Sequence, residues 1–382
     1  MAPYLICFSI TGIFALINEY SIQKKQRVII LFSAFFVIIV PAILAGMRSY
    51  YIGTDTNFYV VPSFNLARGF SSLTDWISVF GAPGITQNLE RGFLLLIYFA
   101  SRISTNAHIV LFLIALIEDI FVYLSLYKLR KHCNIFMGEM VFLLTLYNAL
   151  FNMVRQGIAM AICLYAVAIL LSNEKNKYLK FLLWIIIASQ FHGTAIISLL
   201  ILVIYLLFKN VQEGHTIRKI GLLVIMVLIV TMFVSSVQYL TSIGLIPMHY
   251  LEYLNGGAAY SNSKVSAIGL IIYSSSYLVL ISGRKYLGNN AMFFIAIAFM
   301  DLGFMFMTNM SFYLYRIAYY FLFIRVFSLS QRTLYKMQPY RNIWNNSYVL
   351  WGESLFSVLM YFVYFILVSN WHETIPYIFM NN

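Results

Sequence analysis

Charged side chains are scarce in this chain. They make up 10% of 382 residues, with 13 Asp and Glu against 25 Lys and Arg, while 62% of the residues are apolar. A soluble globular domain carries about a quarter charged residues, so that class is excluded. Cysteine is nearly absent: Cys7, Cys133 and Cys163 lie far apart, with no C-x-x-C pair and no His at ligand spacing, which excludes a disulfide framework and a zinc site. No G-x-S-x-G, H-E-x-x-H, Walker A or G-x-G-x-x-G motif stands in a suitable context, and there is no Asp-x-Asp pair. Hydrolase, protease, ATPase and dinucleotide-binding readings have no support, and neither a metal nor a cofactor is expected. A net charge of +12 would point to nucleic acid in a soluble chain. Here the cations sit between long apolar runs and form no basic stripe, so nucleic acid is not an expected partner.

What is abundant is apolar sequence in lengths that match a bilayer. The first run, Pro3 to Ile17, is followed rather than preceded by basic residues (Lys24, Lys25, Arg27). That polarity is opposite to a signal peptide's, and a retained helix is expected. Further spans are expected near 28–46, 108–127, 135–153, 156–171, 220–240, 265–282, 289–308, 312–330 and 347–369. Residues 181–208 are long for one span, short for two, and interrupted by Gln190-Phe191-His192-Gly193-Thr194. Read as a broken helical hairpin, with both termini outside, they put 17 of the 25 Lys and Arg into short inside loops. Read as one helix, they invert the last three basic clusters. The run Gly92–Ala100 is too short to cross and is expected to be re-entrant or interfacial. The expected fold is an all-α polytopic membrane protein, one domain over 1–382 with about 12 transmembrane helices. Its large outer loop spans 47–107 and a second outer loop 241–264.

Eight cations are not explained by orientation: Arg48, Arg68, Arg91, Arg102, Arg155, Lys264, Arg316 and Arg325. Seven are Arg, whose planar fork matches phosphate oxygens and which stays charged in a low dielectric. On the same outer side lie Asp55, Asp75, Glu90, Glu252 and His192. The spans starting near 156 and 312, and the hairpin's second arm, run inward, so their amino termini face outward and favour anions. Together these residues describe an outward site for an anionic substrate.

Each motif also has a structural account. Asn152, Arg155, Gln156 and Ala159 fall at i, i+3, i+4 and i+7, one helical face, where Arg155 either binds an anion or snorkels to headgroups. Arg48-x4-Gly53-Thr54-Asp55-x3-Tyr59 is either a turn with a capping acid or a carboxylate held near Arg48. Glu90-Arg91-Gly92-Phe93 opens the re-entrant run, as ordinary dipole pairing or as a site carboxylate. His192 stands at the tip of a broken span, a break tolerated where it lines a cavity. Glu118, Asp119, Glu139, Asp301 and Glu353 are intramembrane acids, and Arg325 can pair with one of them. Aromatics reach 18%. Interfacial belts account for most, and a few in 241–264 are candidates to stack on sugars.

Taken in order, Arg48…Gly53-Thr54-Asp55…Tyr59, Glu90-x-Gly92-Phe93, Asn152-x-x-Arg155-Gln156-x-x-Ala159, Phe191-His192-x-Thr194-Ala195 and Arg316-x-x-x-Tyr320-Phe321 resemble the EpsG family of Wzy-like polysaccharide polymerases. The resemblance covers about residues 28–330, and Thr194 stands where the family more often has Ser. It implies a GT-C-like membrane glycosyltransferase in the bacterial plasma membrane. This enzyme would polymerise undecaprenyl-pyrophosphate-linked oligosaccharide repeat units on the outer face, without a cofactor, alongside a flippase and a chain-length regulator. On that chemistry Arg48, Arg155 and Arg316 are the candidates to hold the pyrophosphate. Asp55, Glu90 and His192 are the candidate bases. Tyr59, Asn152, Gln156, Thr194 and Tyr320 are the motif positions left to contact substrate. The other classes are a transporter or flippase of lipid-linked oligosaccharide, which would use Asp301 and Glu118/Asp119, and a polysaccharide ligase or membrane acyltransferase with a similar site.

Overall fold

A computed structural model describes every residue except 85, 210–215, 245–264, 288–289, 309–313, 336–346 and 381–382. The expected second outer loop lies outside the described residues from position 245 on, and with it Glu252 and Lys264; so do Lys336 and Arg341. Helix is the regular structure of the described residues. The chain forms two compact units, residues 1–196 with 358–382, and residues 197–357.

The first unit opens with α1 (Ala2–Lys24) and α2 (Arg27–Gly46), turned back on each other at Lys25 and Gln26. Both are apolar nearly throughout, so polar groups inside the pair must satisfy each other. Asn18 Nδ2 donates to Ile30 O and Ser33 Oγ, each at 2.9 Å. A π-helical turn (Thr56–Val60) then leads into α3 (Val61–Arg68) and the short α4 (Leu73–Ser78), capped by Ser72, which accepts from Asp75 N. α5 (Arg91–Ile103) packs against α3 and α6 (His108–Lys128). Its 13 residues span about 20 Å, short of a bilayer core. After α7 (Ile135–Thr145) and the single turn α8 (Tyr147–Leu150), α9 (Val154–Leu171) is buried on almost every side. Gly157, Ala159, Ala161, Ala166 and Ala168 allow α6 and α10 (Lys177–Ser189) to approach it closely. The chain then breaks at Gln190–His192 and resumes as a 3-10 turn, Gly193–Ser198.

The second unit holds α11 (Leu199–Phe208), α12 (Thr216–Ser242), α13 (Ala267–Ser282), α14 (Ala291–Met307), α15 (Leu314–Leu322), α16 (Arg325–Ser328) and the first part of α17 (Ser347–Tyr361). α14 is its centre: Phe293 meets Tyr205 of α11, and Phe304 meets Phe233 of α12 and Phe321 of α15. From Val358 on, α17 and its π-helical continuation Phe362–Val368 belong to the first unit.

Among the described residues, six helices are long and apolar enough to cross a membrane: Ala2–Lys24, Arg27–Gly46, His108–Lys128, Val154–Leu171, Val224–Ser242 and Val349–Val368. Two expected spans differ. The one near 135–153 is broken at Leu146, where Tyr147 donates to Pro41 O (2.7 Å) and Asn148 Nδ2 to Thr374 Oγ1 (2.9 Å). The one near 312–330 is broken after Leu322, which delivers Arg325 to Asp301. In both, a buried polar side chain takes its partner at the expense of a straight helix.

Candidate functional site

The site begins where α2 ends. Gly53 has φ +90°, and a Cβ there would come within 2.2 Å of Phe151 O, so only glycine allows this turn to lie on the chain entering α9. Thr54 N donates to Asn152 Oδ1 at 2.8 Å. Asp55 Oδ2 accepts from Val154 N (3.1 Å) and from the Tyr59 hydroxyl (2.6 Å). The carboxylate therefore caps α9 from a different element, where the positive end of the helix favours it. Burial and the neighbouring Asp55 charge hold the Tyr59 phenol well above its ordinary range, so it stays a donor.

Glu90 occupies the position before α5. A Cβ on Gly92 would lie 2.7 Å from Gln190 O, and Gly92 N donates to that oxygen at 2.8 Å. This close approach carries Glu90 to the break after α10. Its Oε1 accepts from His192 Nδ1 (3.1 Å) and Gly193 N (3.0 Å), while Oε2 pairs with Arg155 Nη1. The same Nη1 donates to Asn88 O at 2.9 Å, and the guanidinium lies over the Tyr59 ring, 4.8 Å from its centroid. Arg155 Nε is buried without a hydrogen-bond partner among the described residues.

Burial opposes ionisation of Glu90, but the His192 hydrogen bond, the Arg155 charge and the Gly193 N–H outweigh it and hold the carboxyl at about 2. An ionised carboxylate only accepts, so His192 Nδ1 carries a proton, and Nε2 is the ring nitrogen that can act as a base when the ring is neutral. A base oriented by a carboxylate and a cation held by the same carboxylate are thus adjacent. Their side chains keep 16% exposure (His192), 20% (Glu90) and 17% (Arg155), so the cluster is reachable. Among the described residues, no group of His, Cys, Asp and Glu is arranged to hold a metal ion.

The remaining sequence candidates are placed differently from one another. Of the two accounts of the Arg48–Tyr59 stretch the structure has the turn: Arg48, a pyrophosphate candidate by sequence, is 2% exposed, donates to Ala45 O (2.8 Å) and Ile52 O (3.3 Å), and stacks on Phe151 at 4.2 Å. Its fork closes the turn after α2. Asn152 does not share a helical face with Arg155, because α9 starts at Val154. Gln156 is on α9 but buried, with Nε2 3.8 Å from Met160 Sδ. Thr194 lies in the 3-10 turn two residues past His192. Arg316 and Tyr320 belong to the second unit: Arg316 is in the first turn of α15 with Nε 3.4 Å from the Tyr315 hydroxyl, and Tyr320 is buried one turn later.

Sequence reasoning missed the segment after the last helix. Asn370 closes a turn by exchanging bonds with Ile375 (2.7 and 3.1 Å), and the chain beyond it lies along the site's foundations. Tyr4 donates to Thr374 O (3.0 Å), Tyr377 to Leu44 O (2.5 Å), and Asn152 Nδ2 to His372 O (2.5 Å). Ser49 N donates to Ile378 O and Met380 N to Met47 O, each at 2.8 Å. The available signal was polar: Asn370, His372 and Thr374 follow an apolar span without any cation to explain them.

The second unit has an ion pair of its own. Asp301 accepts from the Tyr273 hydroxyl, from that of Tyr277 (2.5 Å) and from Arg325 Nε (3.2 Å). Arg325 Nη2 also donates to Tyr273 O (3.0 Å) and Tyr277 Oη (2.9 Å). Of the intramembrane acids, Asp301 is thus the partner of Arg325.

No curated protein sequence and no solved structure matches the chain. A family model described as the EpsG family matches residues 31–379, which includes the Glu90 cluster and the carboxy-terminal segment laid against it. With helices fit to cross a membrane and a match over nearly its whole length, the chain is an integral membrane protein that belongs to the EpsG family of Wzy-like polysaccharide polymerases.

Proposed function

We propose that this protein is a bacterial plasma-membrane glycosyltransferase that polymerises undecaprenyl-pyrophosphate-linked oligosaccharide repeat units on the outer face. Both chain termini and the Glu90 cluster would then face outward, and a flippase and a chain-length regulator are the natural companions. The observation that carries this reading is the Glu90 carboxylate bridging Arg155 and His192.

In the reaction, a hydroxyl of the incoming unit attacks the anomeric carbon of the growing chain. The bond from that carbon to the pyrophosphate oxygen breaks, the electron pair leaves with the lipid pyrophosphate, and His192 Nε2 takes the hydroxyl proton. The leaving group develops charge, and Arg155 at the amino-terminal turn of α9 supplies both a cation and the positive helix end. Glu90, held at about 2, is too weak a base for this step. Its role is to fix the His192 tautomer and to position Arg155. Asp55 is the second candidate base, since Oδ2 takes both of its hydrogen bonds among the described residues and leaves Oδ1 to a ligand. Tyr59 carries the guanidinium on its ring, and Thr194 stands beside His192 to meet the sugar. Arg316 and Tyr320 are assigned to substrate on the family motif alone.

The test is polymerisation by purified protein in liposomes given only synthetic lipid-pyrophosphate repeat unit, with products resolved by size. A ladder of multiples, lost in Arg155→Ala, is expected. Unchanged monomer moved across the bilayer would replace the reading with transport, the alternative favoured by the buried oxygens Glu118 Oε1, Asp119 Oδ2 and Glu139 Oε1, which lack hydrogen-bond partners among the described residues. Transfer to a foreign acceptor, or an added acyl group, would make it a ligase or an acyltransferase.

A further inference from the structure

We propose that Asn152 is a positioning residue, through which the carboxy-terminal segment 370–380 sets the catalytic geometry. This rests on the polymerase reading for its kinetic consequence but not for its structural one. An amide that reads substrate turns its groups toward the site. The Asn152 amide instead bridges two protein segments: Oδ1 accepts from Thr54 N at 2.8 Å, with the Thr54 hydroxyl at 3.5 Å, and Nδ2 donates to His372 O at 2.5 Å. Asn152 itself is 9% exposed.

The linkage runs in short steps from the segment to the cluster. Thr54 precedes Asp55, whose carboxylate caps α9 at Val154 and holds the Tyr59 hydroxyl. The Tyr59 ring is the floor under Arg155, and Arg155 shares Glu90 with His192. The other end is equally fixed. Thr374, fully buried, accepts from Asn148 Nδ2 through its hydroxyl and from Tyr4 through its carbonyl, and residues 378–380 pair with 47–49. His372 is itself buried, which pushes its imidazole down to about 3, so the ring stays neutral in its seat at any working pH. The segment thus grips both sides of the turn that carries Asp55: Met47–Ser49 before it, and Asn152 across from it.

The test uses the full chain with Asn152→Asp, which keeps the acceptor for Thr54 and removes the donor to His372, and separately Thr374→Val with Tyr377→Phe, which loosens the segment without touching the cluster. In both, kcat for the lipid-linked unit falls about tenfold, the effect of one or two buried hydrogen bonds, with KM within about twofold. Hydrogen exchange at the Thr54 and Val154 amides speeds up in both. Ser49 and Ile378 stand opposite each other in the antiparallel pairing, a geometry with Cα atoms about 5.5 Å apart that a disulfide can bridge. Adding Ser49→Cys and Ile378→Cys to the Thr374/Tyr377 variant should restore kcat on oxidation and lose it on reduction, the native cysteines all being buried. A raised KM at unchanged kcat would make Asn152 a substrate contact and overturn the proposal. Unchanged exchange at Thr54 would overturn it too. If the unsubstituted protein forms no ladder, the polymerase reading fails, and the exchange measurement alone decides the positioning role.

Discussion

Among the described residues, two arginine–carboxylate pairs stand out, one in each unit, and they are built to opposite ends. In the second unit, Arg325 and Asp301 have side chains 6% and 1% exposed, two tyrosines hydrogen-bond to the pair while their rings lie 4.3 and 4.9 Å from the guanidinium, and neither side chain has a buried polar atom without a partner among the described residues. In the first unit, Arg155 and Glu90 are about a fifth exposed, the arginine's Nε has no hydrogen-bond partner among the described residues, and the carboxylate divides itself between the arginine and a histidine. A saturated pair resists change and a shared one can answer a ligand. Charge buried in a membrane protein is therefore functional only where the surroundings leave it something to do.

The sharpest way to break this comparison is to remove each arginine. Arg155→Ala should abolish polymer, about a thousandfold or more, while membrane abundance stays near that of the unsubstituted protein and the thermal midpoint falls only by the part of the Glu90 stabilisation that Arg155 supplies. Arg325→Ala should do the reverse: an uncompensated Asp301 costs about 3–5 kcal/mol, so protein is lost and the molecules that survive retain their turnover. Abundance by immunoblot with ladder length per molecule separates the two. If Arg155→Ala polymerises normally, the shared pair is as structural as the saturated one.

Next in size is the histidine. His192→Ala should lower turnover about 100-fold or more, and Asp55→Asn by less, if the base is the ring oriented by Glu90. The opposite order in a single-turnover assay would transfer the base to Asp55 and leave His192 as a ligand.

How much of this was legible depends on the cost of each side chain. Arg155, Glu90 and His192 announced themselves because charge is expensive in a chain with 10% charged residues. Their meeting did not, since Glu90 lies 65 residues from Arg155 and 102 from His192, and the close backbone approach of Gly92 to Gln190 that brings two of those stretches together is not written in residue type. Arg48 looked equivalent to Arg155, yet local carbonyls took its fork, a backbone detail that residue type does not encode. Helices with charged or turn-forming ends, such as Arg27–Gly46 and His108–Lys128, were readable within a residue or two of the expected 28–46 and 108–127. The breaks at Leu146 and after Leu322 were not, because an apolar run carries no periodic signal to interrupt. The family resemblance agreed with the match over 31–379, but the matched region extends into a carboxy-terminal segment in which no motif was visible.

A smaller effect tests the charge state of the shared pair. Glu90 is held at about 2, below its ordinary 4.5, so its stabilisation is fully present above about pH 4.5 and is lost as pH falls towards 2. The thermal midpoint should be flat from pH 7 to about 5 and then fall, and Glu90→Gln should remove part of that fall. A Glu90→Gln midpoint with the same acid limb would mean that other carboxylates carry it. The change should lower turnover as well, because a neutral amide neither fixes the His192 tautomer nor balances Arg155.

The smallest expected effect probes saturation itself. Tyr277→Phe removes one hydroxyl from the Asp301–Arg325 network and leaves the ring that covers the guanidinium. Asp301 keeps Tyr273 and Arg325, and Arg325 Nη2 keeps Tyr273 O, so the loss should be that of two buried hydrogen bonds whose partners retain others, about 1–2 kcal/mol, with polymer length unchanged. Tyr59→Phe is the matching change in the first unit. There the lost hydroxyl is a donor to Asp55, the residue that caps α9, so stability should fall by a similar amount but turnover should fall with it. Equal stability losses with unequal effects on polymer would show that one tyrosine closes a finished network and the other supports a site. If Tyr277→Phe shortens the polymer and Tyr59→Phe does not, the roles of the two clusters are exchanged.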